Sequence, residues 1–341
     1  MMMPLISVVV PVFNEEKGLP ALFERLYAAL DALGRTYEVV FVDDGSRDRS
    51  VAVLRAQYEK RPDCTRVVVF ASNAGQHMAI LAGFEYSLGR YVVTLDADLQ
   101  NPPEEIGRIV AAMEAGADYV GTIRKMRQDS WWRTSASRMV NRLRERTTSI
   151  RITDQGCMLR GYERSVVDSI NQCREVNTFV PALGYTFARQ PVEIEVAHAA
   201  REHGESKYSF YQLIRLNFDL MTGFSLAPLQ FFTVSGMLIA IASLGFVAYL
   251  AIRRIFSGPE AEGVFTLFGI AFFLIGVLLL GLGVVGEYVG RIYEQVRQRP
   301  RFVVAAVLEP KDAAAGDPPD ASGEFAATSG ARPLVRQLSG Q

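Results

Sequence analysis

Two long runs without a charged residue constrain this chain of 341 residues more than any other feature. The first extends from Ala227 to Ile252 and the second from Gly263 to Gly286. Each exceeds the roughly 20 residues that a helix needs to cross a bilayer, and inside lipid a single segment can satisfy its own backbone only as a helix. The sequence therefore predicts two transmembrane helices, at 227–252 and 263–286.

Basic residues around these runs predict their orientation. Arg215 precedes the first run, and a juxtamembrane segment, 287–309, follows the second with Arg291, Arg297, Arg299 and Arg301. The connection between the runs is short and carries only Arg253 and Arg254 as basic residues. Because lysine and arginine favour cytoplasmic flanks, we expect both termini in the cytoplasm. Residues 310–341 are rich in Ala, Gly, Pro and Asp, which predicts a disordered tail.

The first 122 residues alternate between strand and helix signals. Four short apolar runs are typical of buried strands: SVVVPV, YEVVFV, RVVVF and RYVVTL. Apolar residues at helical spacing follow the first run: Leu19, Leu22, Phe23, Leu26, Tyr27 and Leu30. After the second run, Ser46 is expected to cap a helix that continues through Tyr58. This order predicts an α/β fold with a parallel sheet and helices on both faces.

Composition argues against several classes of protein. A net charge of −1 gives no bulk attraction for nucleic acid. The three cysteines form no CxxC pair, which leaves a disulfide framework or a zinc site without support. The three histidines lack HExxH spacing, which argues against a histidine-bound catalytic metal. The N-terminal sequence lacks a basic segment and is interpreted as a first strand, not a signal peptide.

Two basic, aromatic-rich stretches lie between the strand–helix region and the apolar runs. One contains Trp131 and Trp132 beside arginines, and the other places Tyr211, Ile214, Phe218 and Met221 on one helical face. Such stretches suit the interface between membrane and water, so we predict interfacial helices at about 131–148 and 207–225. Ordinary packing between helices is the alternative.

Acidic and amide side chains follow three of the predicted strands, at Asn14–Glu15, Asp43–Asp44 and Asp96–Asp98. The carboxyl ends of parallel strands share one rim of a sheet, where ligands bind. If the last strand stays extended, Asp96, Asp98 and Gln100 face one site, because alternate residues share a face. Oxygen donors of this kind suit Mg²⁺ or Mn²⁺ holding a diphosphate. Taken alone, the DxD pattern is common in surface loops.

The motifs VPVFNEE, VDDGSRDRS, NAGQHMAILAGF and LDADLQNPPEE occur here in that order. Together they resemble the nucleotide-sugar domain of family 2 glycosyltransferases, which has the Rossmann-like GT-A fold. The likeness continues through VGTIRKMRQDSWWRTSASRMVNRL, DQGCMLRGY, REHGESKYSF and GEYVGRIY. Over residues 5–305 the chain looks like the bacterial polyprenyl-phosphate glycosyltransferases. Ala74 departs from the pattern, because the family is expected to carry an aromatic residue there.

The resemblance implies a multi-pass protein of the bacterial inner membrane with a cytoplasmic catalytic domain at 1–225. It implies transfer of 4-deoxy-4-formamido-L-arabinose from a UDP donor to undecaprenyl phosphate, by a metal-dependent, inverting reaction. The product would serve lipid A modification and resistance to cationic peptides. The resemblance also implies a homo-oligomer, as a tetramer. No QxxRW motif of processive members is present, which favours transfer of a single sugar.

The resemblance also assigns residues to the donor. Pro11, Phe13 and Glu15 are expected to line the uridine site, with Glu15 towards the ribose. Asp44, with Asp43 nearby, is expected to accept hydrogen bonds from the uracil ring. Asp96 is expected near the ribose and the metal ion, and Asp98 and Gln100 are expected to hold that ion. A turn and helix cap is the alternative role for one of the two neighbouring aspartates, and a position in a helical first turn is the alternative for Glu15.

A lipid phosphate is largely a dianion at neutral pH, since its second pKa is about 6, and it needs arginine more than a strong base. The resemblance places Arg124 and Arg138 at the acceptor phosphate, with Arg160, Arg201 and Lys207 as further candidates. Asp154 is expected near the reaction centre, where it orients the sugar, assists the metal ion or acts as a base. A cap of the loop before Gly156 is its alternative role.

Two histidines and two competing functions complete the predictions. His77 is expected to contact the sugar or nucleotide, or to start a helix, and His203 lies in a segment expected to fold over the site. A glucosyl or mannosyl polyprenyl-phosphate synthase on the same scaffold is the second candidate enzyme. A catalytically silent membrane scaffold that binds nucleotide-sugar is the candidate from another class.

Overall fold

The structure is a computed structural model that describes residues 3–124, 152–154, 156–173, 179–197, 227–257, 264–297 and 299–309. These residues form two compact units, the first from within 1–130, 150–206 and 299–341, and the second from within 131–149 and 207–298. The two predicted interfacial helices and the predicted disordered tail lie outside the described residues, and the domain bounds stay predictions.

The first unit is built on one mixed sheet. Its strands, in chain order, are β1 Ile6–Val12, β2 Tyr37–Asp43, β3 Thr65–Phe70, β4 Tyr91–Thr94, β5 Tyr119–Arg124, β6 Arg160–Glu163, β7 Pro191–Val196 and β8 Val304–Leu308. Their spatial order is β7-β5-β6-β4-β1-β2-β3-β8. Strands β4, β1, β2 and β3 pair in parallel, as the four apolar runs predict.

Helices cover this sheet. They are α1 Leu19–Ala32, α2 Ser50–Lys60, α3 Gln76–Tyr86, α4 Ile106–Glu114, α5 Arg164–Gln172 and α6 Val180–Phe187, with a 3-10 turn at Pro103–Glu105 before α4. All six apolar positions predicted for α1 are buried. Residues from α1, α4 and the central strands share one core cluster. The α/β, GT-A-like sheet is therefore confirmed.

Two strands depart from the predicted parallel sheet. Strand β6 runs antiparallel to β4 and β5, and β8 runs antiparallel to β3. Strand β8 comes from the segment predicted as juxtamembrane, and the Phe302 ring stacks on Phe70 with centroids 4.9 Å apart. Covering β3 satisfies backbone groups that an edge strand leaves open, which the local pattern of 304–308 does not reveal.

The predicted cap of α2 is wrong. The helix begins at Ser50 with Arg49 as its N-cap residue and has no side-chain cap. The Ser46 hydroxyl instead accepts a hydrogen bond from the Asn14 backbone N–H at 2.9 Å. Its own backbone N–H donates to Asp43 at 3.0 Å. The local pattern assigns the Ser46 side chain to a helix cap, but the side chain instead binds the loop after β1.

The second unit contains two long helices, α7 Ala227–Ser257 and α8 Val264–Val296. Within the described residues, the 27-residue stretch Ile270–Val296 is long and apolar enough to cross a membrane. In α7, the stretch Leu229–Ile239 is apolar over a shorter length. One predicted span thus has a matching candidate helix, and a second crossing stays a prediction.

Candidate functional site

The carboxyl ends of β1, β2, β4 and β5 open onto one rim of the sheet. Val12 of β1 lies beside Asp43 of β2, and the Asp44 backbone N–H donates to the Val12 carbonyl at 2.8 Å. Strand β5 is antiparallel to β6, which is antiparallel to β4, so β5 ends on the same rim as β4. The predicted acidic strand ends therefore meet, as the parallel topology requires.

The loop after β1 and the loop after β2 are bound to each other. The Arg47 backbone N–H donates to Asn14 Oδ1 at 2.8 Å, and the Glu15 N–H donates to Ser50 Oγ at 2.9 Å. Asn14 has a φ of 56°, a left-handed conformation that asparagine tolerates. Phe13 remains 44% exposed beside these loops. The rim therefore combines a fixed backbone with one aromatic ring that is free to stack on a base.

Asp44 fastens a third loop, residues 73–75. Its carboxylate accepts from the backbone N–H of Ala74 at 2.6 Å and of Gly75 at 3.0 Å, and from Asn73 Nδ2 at 2.8 Å. Burial raises the pKa of Asp44, while the two backbone donors oppose that rise. Ala74 takes part here through its backbone N–H, which every residue type except proline supplies.

Asp43 differs from Asp44 in its hydrogen bonding. It is 0% exposed, its Oδ2 accepts from the Ser46 N–H, and its Oδ1 is buried with no hydrogen-bond partner in the described part of the chain. Burial raises the pKa of Asp43 above its ordinary value. A buried acceptor without a partner is costly, so Asp43 Oδ1 is a place where a ligand donor would be stabilised.

The chain after β4 does not stay extended, so the predicted alternation through Gln100 is wrong. The strand ends at Thr94, and Leu99 has a φ of 59°, which turns the backbone. Asp96 Oδ1 accepts from Gln76 Nε2 at 2.6 Å, and Asp98 Oδ1 accepts from the Gln100 backbone N–H at 3.2 Å. The Asp98 carboxylate thus binds the turn locally, while Asp96 binds α3, and a two-residue period predicts neither contact.

The oxygen donors of this turn fit a divalent ion only in part. Among the described residues, no group of three or more His, Cys, Asp and Glu side chains gathers as a metal centre would require. Asp96 and Asp98 are two hard oxygen donors on one turn. Mg²⁺ often takes one or two carboxylates and completes its shell with phosphates and water. The pair therefore fits an ion that arrives with a diphosphate, and does not form a cage of its own.

Arg124 and Asp154 form an ion pair at the end of β5. Arg124 Nε and Nη2 donate to the two Asp154 oxygens at 2.6 and 2.8 Å. Burial opposes ionisation of Asp154, but the hydrogen bonds and charge of Arg124 outweigh it and lower the pKa. The Gly156 backbone N–H also donates to Asp154 Oδ1 at 3.1 Å, so the predicted loop cap is confirmed.

Arg160 differs from the role expected for it. It is 0% exposed, and its three guanidinium nitrogens donate to the Cys157 carbonyl, the Tyr119 hydroxyl and the Asp154 carbonyl. A group this deeply enclosed does not present donors to a lipid phosphate. We therefore do not include Arg160 among the proposed acceptor contacts.

His77 lies in the first turn of α3, as its helix-start alternative predicts. Its Nδ1 is buried without a hydrogen-bond partner among the described residues, and its ring meets Phe179 edge-on at 5.2 Å. Burial, aided by the charge of Arg160, lowers the pKa of His77 to about 4. The imidazole is therefore neutral at physiological pH.

Other expected and unexpected residues complete the rim. Arg138, Arg201, Lys207 and His203 lie outside the described residues. Asn101 was not predicted, although it is buried and joins Asp96 at 3.4 Å and Cys157 at 3.4 Å. Its place directly after Gln100 and before two prolines was a signal in the sequence. Through Asn101 the loop after β4 meets the segment that carries Asp154.

The sequence of the chain resembles those of known proteins. Residues 7–170 match the model of the family described as glycosyl transferase family 2. The undecaprenyl-phosphate 4-deoxy-4-formamido-L-arabinose transferase of Edwardsiella ictaluri (strain 93-146) is 48% identical over 305 residues, which cover 89% of this chain and 94% of that protein.

Solved structures also resemble the chain. Glucosyl-3-phosphoglycerate synthase from Mycobacterium tuberculosis with uridine diphosphate is 16% identical, with a TM-score of 0.47, over 64% of this chain and 78% of that one. The mannosyltransferase PcManGT from Pyrobaculum calidifontis with GDP-Man and Mn²⁺ is 15% identical, with a TM-score of 0.42, over 88% and 89%. The family match and the identity to the Edwardsiella enzyme decide the assignment. The chain belongs to glycosyl transferase family 2.

Proposed function

We propose that this glycosyltransferase transfers 4-deoxy-4-formamido-L-arabinose from a UDP donor to undecaprenyl phosphate. The observation that carries the proposal is the 48% identity to an enzyme named for that transfer, over 89% of this chain. The product would serve lipid A modification and resistance to cationic peptides. The rim of the sheet supplies acidic and basic groups suited to the two halves of this reaction.

The donor's nucleotide would lie against the loops after β1 and β2. Phe13 offers an exposed ring for stacking, with Pro11 at the end of β1 and Glu15 in the loop after it, and Glu15 would lie towards the ribose. Asp43 Oδ1, which lacks a partner in the described structure, would accept from the uracil N–H. Asp44 would act beside it by fastening residues 73–75, since its carboxylate already binds that loop.

The diphosphate would lie at the turn after β4. Asp96 and Asp98 would hold Mg²⁺ or Mn²⁺ there, with Gln100 beside them. When bound, such an ion offsets the charge of the diphosphate and of the departing UDP. Gln76 and Asn101 orient the Asp96 carboxylate through its two oxygens.

The acceptor phosphate would meet Arg124. A phosphate monoester dianion is already a nucleophile, so the site needs to bring together two anions more than it needs a strong base. The lowered pKa of Asp154 favours a carboxylate that orients Arg124 over one that takes up a proton. Arg138, Arg201 and Lys207 are proposed as further phosphate contacts. Attack on the face of the sugar opposite UDP would give inversion.

The membrane would bring the lipid to this rim. In α8, large apolar side chains such as Phe272 and Leu278 are 69% and 67% exposed, which suits a lipid environment. We propose that α7 crosses the membrane as well, with the catalytic unit on the cytoplasmic face of the bacterial inner membrane. A tetramer is proposed for the assembled enzyme.

A panel of UDP-sugars tests the proposal directly. The purified full-length enzyme, undecaprenyl phosphate and Mg²⁺ or Mn²⁺ are incubated with each donor. The lipid product is then identified by mass spectrometry. We expect the formamido-arabinose donor to give the product with the largest kcat/KM. Product from UDP-glucose alone would make the chain a glucosyltransferase, and UDP binding without any product would support the scaffold alternative.

A further inference from the structure

A large charged side chain, that of Arg160, the first residue of β6, is fully buried in the described structure. Its backbone pairs with Thr94 of β4, and its side chain reaches Tyr119 at the start of β5. Arg160 is the largest of the fully buried side chains, and no ion pair joins it to a carboxylate in the described residues. Burying a guanidinium is costly unless its donors are satisfied, so its contacts have to account for its presence.

Those contacts hold both ends of one short loop. Arg160 Nη2 donates to the Asp154 carbonyl at 2.5 Å and Nε donates to the Cys157 carbonyl at 2.9 Å. Nη1 donates to the Tyr119 hydroxyl at 2.5 Å, which anchors the guanidinium to the sheet. The planar fork of arginine can serve all three acceptors at once, whereas a lysine ammonium offers only a single point of attachment.

Arg124 contacts the same loop through the Asp154 side chain. The Asp154 carboxylate accepts two hydrogen bonds from the Arg124 guanidinium, at 2.6 and 2.8 Å. Gly156 lets that guanidinium lie close against the loop, because a Cβ at Gly156 would come within 2.8 Å of Arg124 Nη2. The place of Arg124 therefore depends on the loop from two directions, through the Asp154 carboxylate and through the bare backbone at Gly156.

We propose that Arg160 is a positioning residue for the acceptor half of the reaction. It fixes the Asp154–Cys157 loop, and the loop fixes the guanidinium of Arg124 where it meets the acceptor phosphate. This inference rests on the proposed function only for the identity of the molecule that Arg124 meets. The link from Arg160 to the loop is a property of the fold.

The main test is steady-state kinetics of the full-length enzyme with the donor and acceptor varied in turn. We expect Arg160→Lys and Gly156→Ala each to raise the KM for undecaprenyl phosphate by about tenfold, since charged hydrogen bonds are lost or displaced. The KM for the UDP-sugar is expected to stay within about twofold. An equal rise in both KM values would overturn the proposal.

A matched control separates positioning from general loss of stability. Arg66 is also a buried arginine, but it lies on β3 and its partners are Glu38 and Glu309. Arg66→Lys is expected to lower the melting temperature without changing the KM for undecaprenyl phosphate. If Arg66→Lys raises that KM as much as Arg160→Lys does, the effect is general and the proposal is wrong.

A double-mutant cycle tests the route through Arg124. Once Arg124 is replaced by alanine, Arg160→Lys should add little further increase in the acceptor KM, because the group it positions is gone. Additive effects would contradict the proposal. If Arg160→Lys fails to fold, Gly156→Ala replaces it in the cycle. The added methyl group would displace the Arg124 guanidinium without altering a buried charge.

Hydrogen–deuterium exchange separates failure of this inference from failure of the proposed function. Arg160→Lys should speed exchange in peptides covering 154–158 and leave β2 peptides unchanged. If wild-type enzyme makes no product with undecaprenyl phosphate, the proposed function fails, while faster exchange at 154–158 still supports the positioning of the loop. Unchanged exchange there overturns the inference, whatever the acceptor is.

Discussion

In two regions of the rim, the pKa values of buried carboxylates shift in opposite directions. On the proposed donor side, formed by the ends of β1 and β2 and their loops, burial raises the pKa of Asp43 and Asp44. On the proposed acceptor side, formed by the end of β5 and residues 152–154 and 156–160, the pKa of Asp154 is lowered although it is also buried. The difference is Arg124, whose guanidinium binds both Asp154 oxygens.

This contrast suits the two ligands proposed above. Among the described residues Asp43 Oδ1 has no hydrogen-bond partner, so it could accept from an N–H group of a nucleotide base. Asp154 holds the Arg124 guanidinium in place, where the acceptor phosphate is proposed to bind. Burial alone would raise the carboxylate pKa on both sides. The two sides differ because a guanidinium is paired with the carboxylate on only one of them.

The largest effect is expected for Asp98→Asn, in the turn after β4 where the donor's diphosphate is proposed to lie. Loss of one carboxylate oxygen there is expected to lower kcat by at least about a hundredfold, because the proposed divalent ion would lose a ligand. The measurement is product formation across a titration of Mg²⁺ and Mn²⁺. Asp63→Asn, an exposed carboxylate, is the control. Unchanged kcat in Asp98→Asn would remove the turn from the site.

The next largest effect is expected for Asp43→Asn, in the affinity for UDP. Loss of the ionised acceptor should weaken UDP binding by about tenfold at neutral pH, measured by isothermal titration calorimetry. Because the pKa of Asp43 is raised, wild-type affinity should begin to fall at a higher pH than an ordinary aspartate, about 3.9, would dictate. The variant should lack that fall.

Asp44→Asn gives the matching comparison on the donor side. It should loosen the 73–75 loop more than it alters a direct contact with the base. Weaker UDP binding in Asp44→Asn than in Asp43→Asn would reverse the roles that the hydrogen bonds indicate.

Acid stability tests the acceptor side through Asp154→Asn. A lowered pKa means that the folded state favours the ionised carboxylate. The resulting stability, of the order of 1 kcal/mol, is present above the unfolded value of about 3.9 and is lost as pH falls through the lower folded pKa. Thermal melts by circular dichroism should show that Asp154→Asn is less stable at neutral pH and loses less on acidification. A parallel pH dependence in both proteins would contradict the ion pair.

The smallest effect is expected for Phe302→Ala, away from both sides of the rim. Its ring stacks on Phe70 at 4.9 Å, and loss of that contact should lower stability by about 0.5–1.5 kcal/mol. Neither KM should change. If either KM rises in Phe302→Ala, the donor–acceptor contrast is sensitive to general loosening of the sheet, and the kinetic tests above lose their specificity.

Much of the fold was predictable because its signals are local. The four apolar runs became β1 to β4, and the helical spacing from Leu19 to Leu30 became the buried face of α1. Glu104 and Glu105 lie in the 3-10 turn that follows two prolines before α4, and Glu104 binds Arg25 at 2.9 Å. These features follow from periodicity and turn chemistry within about a dozen residues.

Two predictions failed because a side chain binds a distant partner, and one failed because of a local turn. Ser46 binds Asn14 instead of capping α2. Leu99 turns the chain, so Gln100 does not continue the alternation. The role of Arg160 depends on Tyr119, 41 residues away along the chain. No window of sequence contains both partners of such contacts.

The sequence by itself determined the parallel core of the sheet, the place of its acidic strand ends and the long apolar helix, because periodicity and composition control how local segments bury apolar surface. Tertiary structure alone decided which of Asp43 and Asp44 keeps an open oxygen, how Arg124 and Asp154 pair, and that β8 returns to cover β3. Hydrogen bonding between distant segments decides these features, since a buried polar group is stable only where the fold brings it a partner.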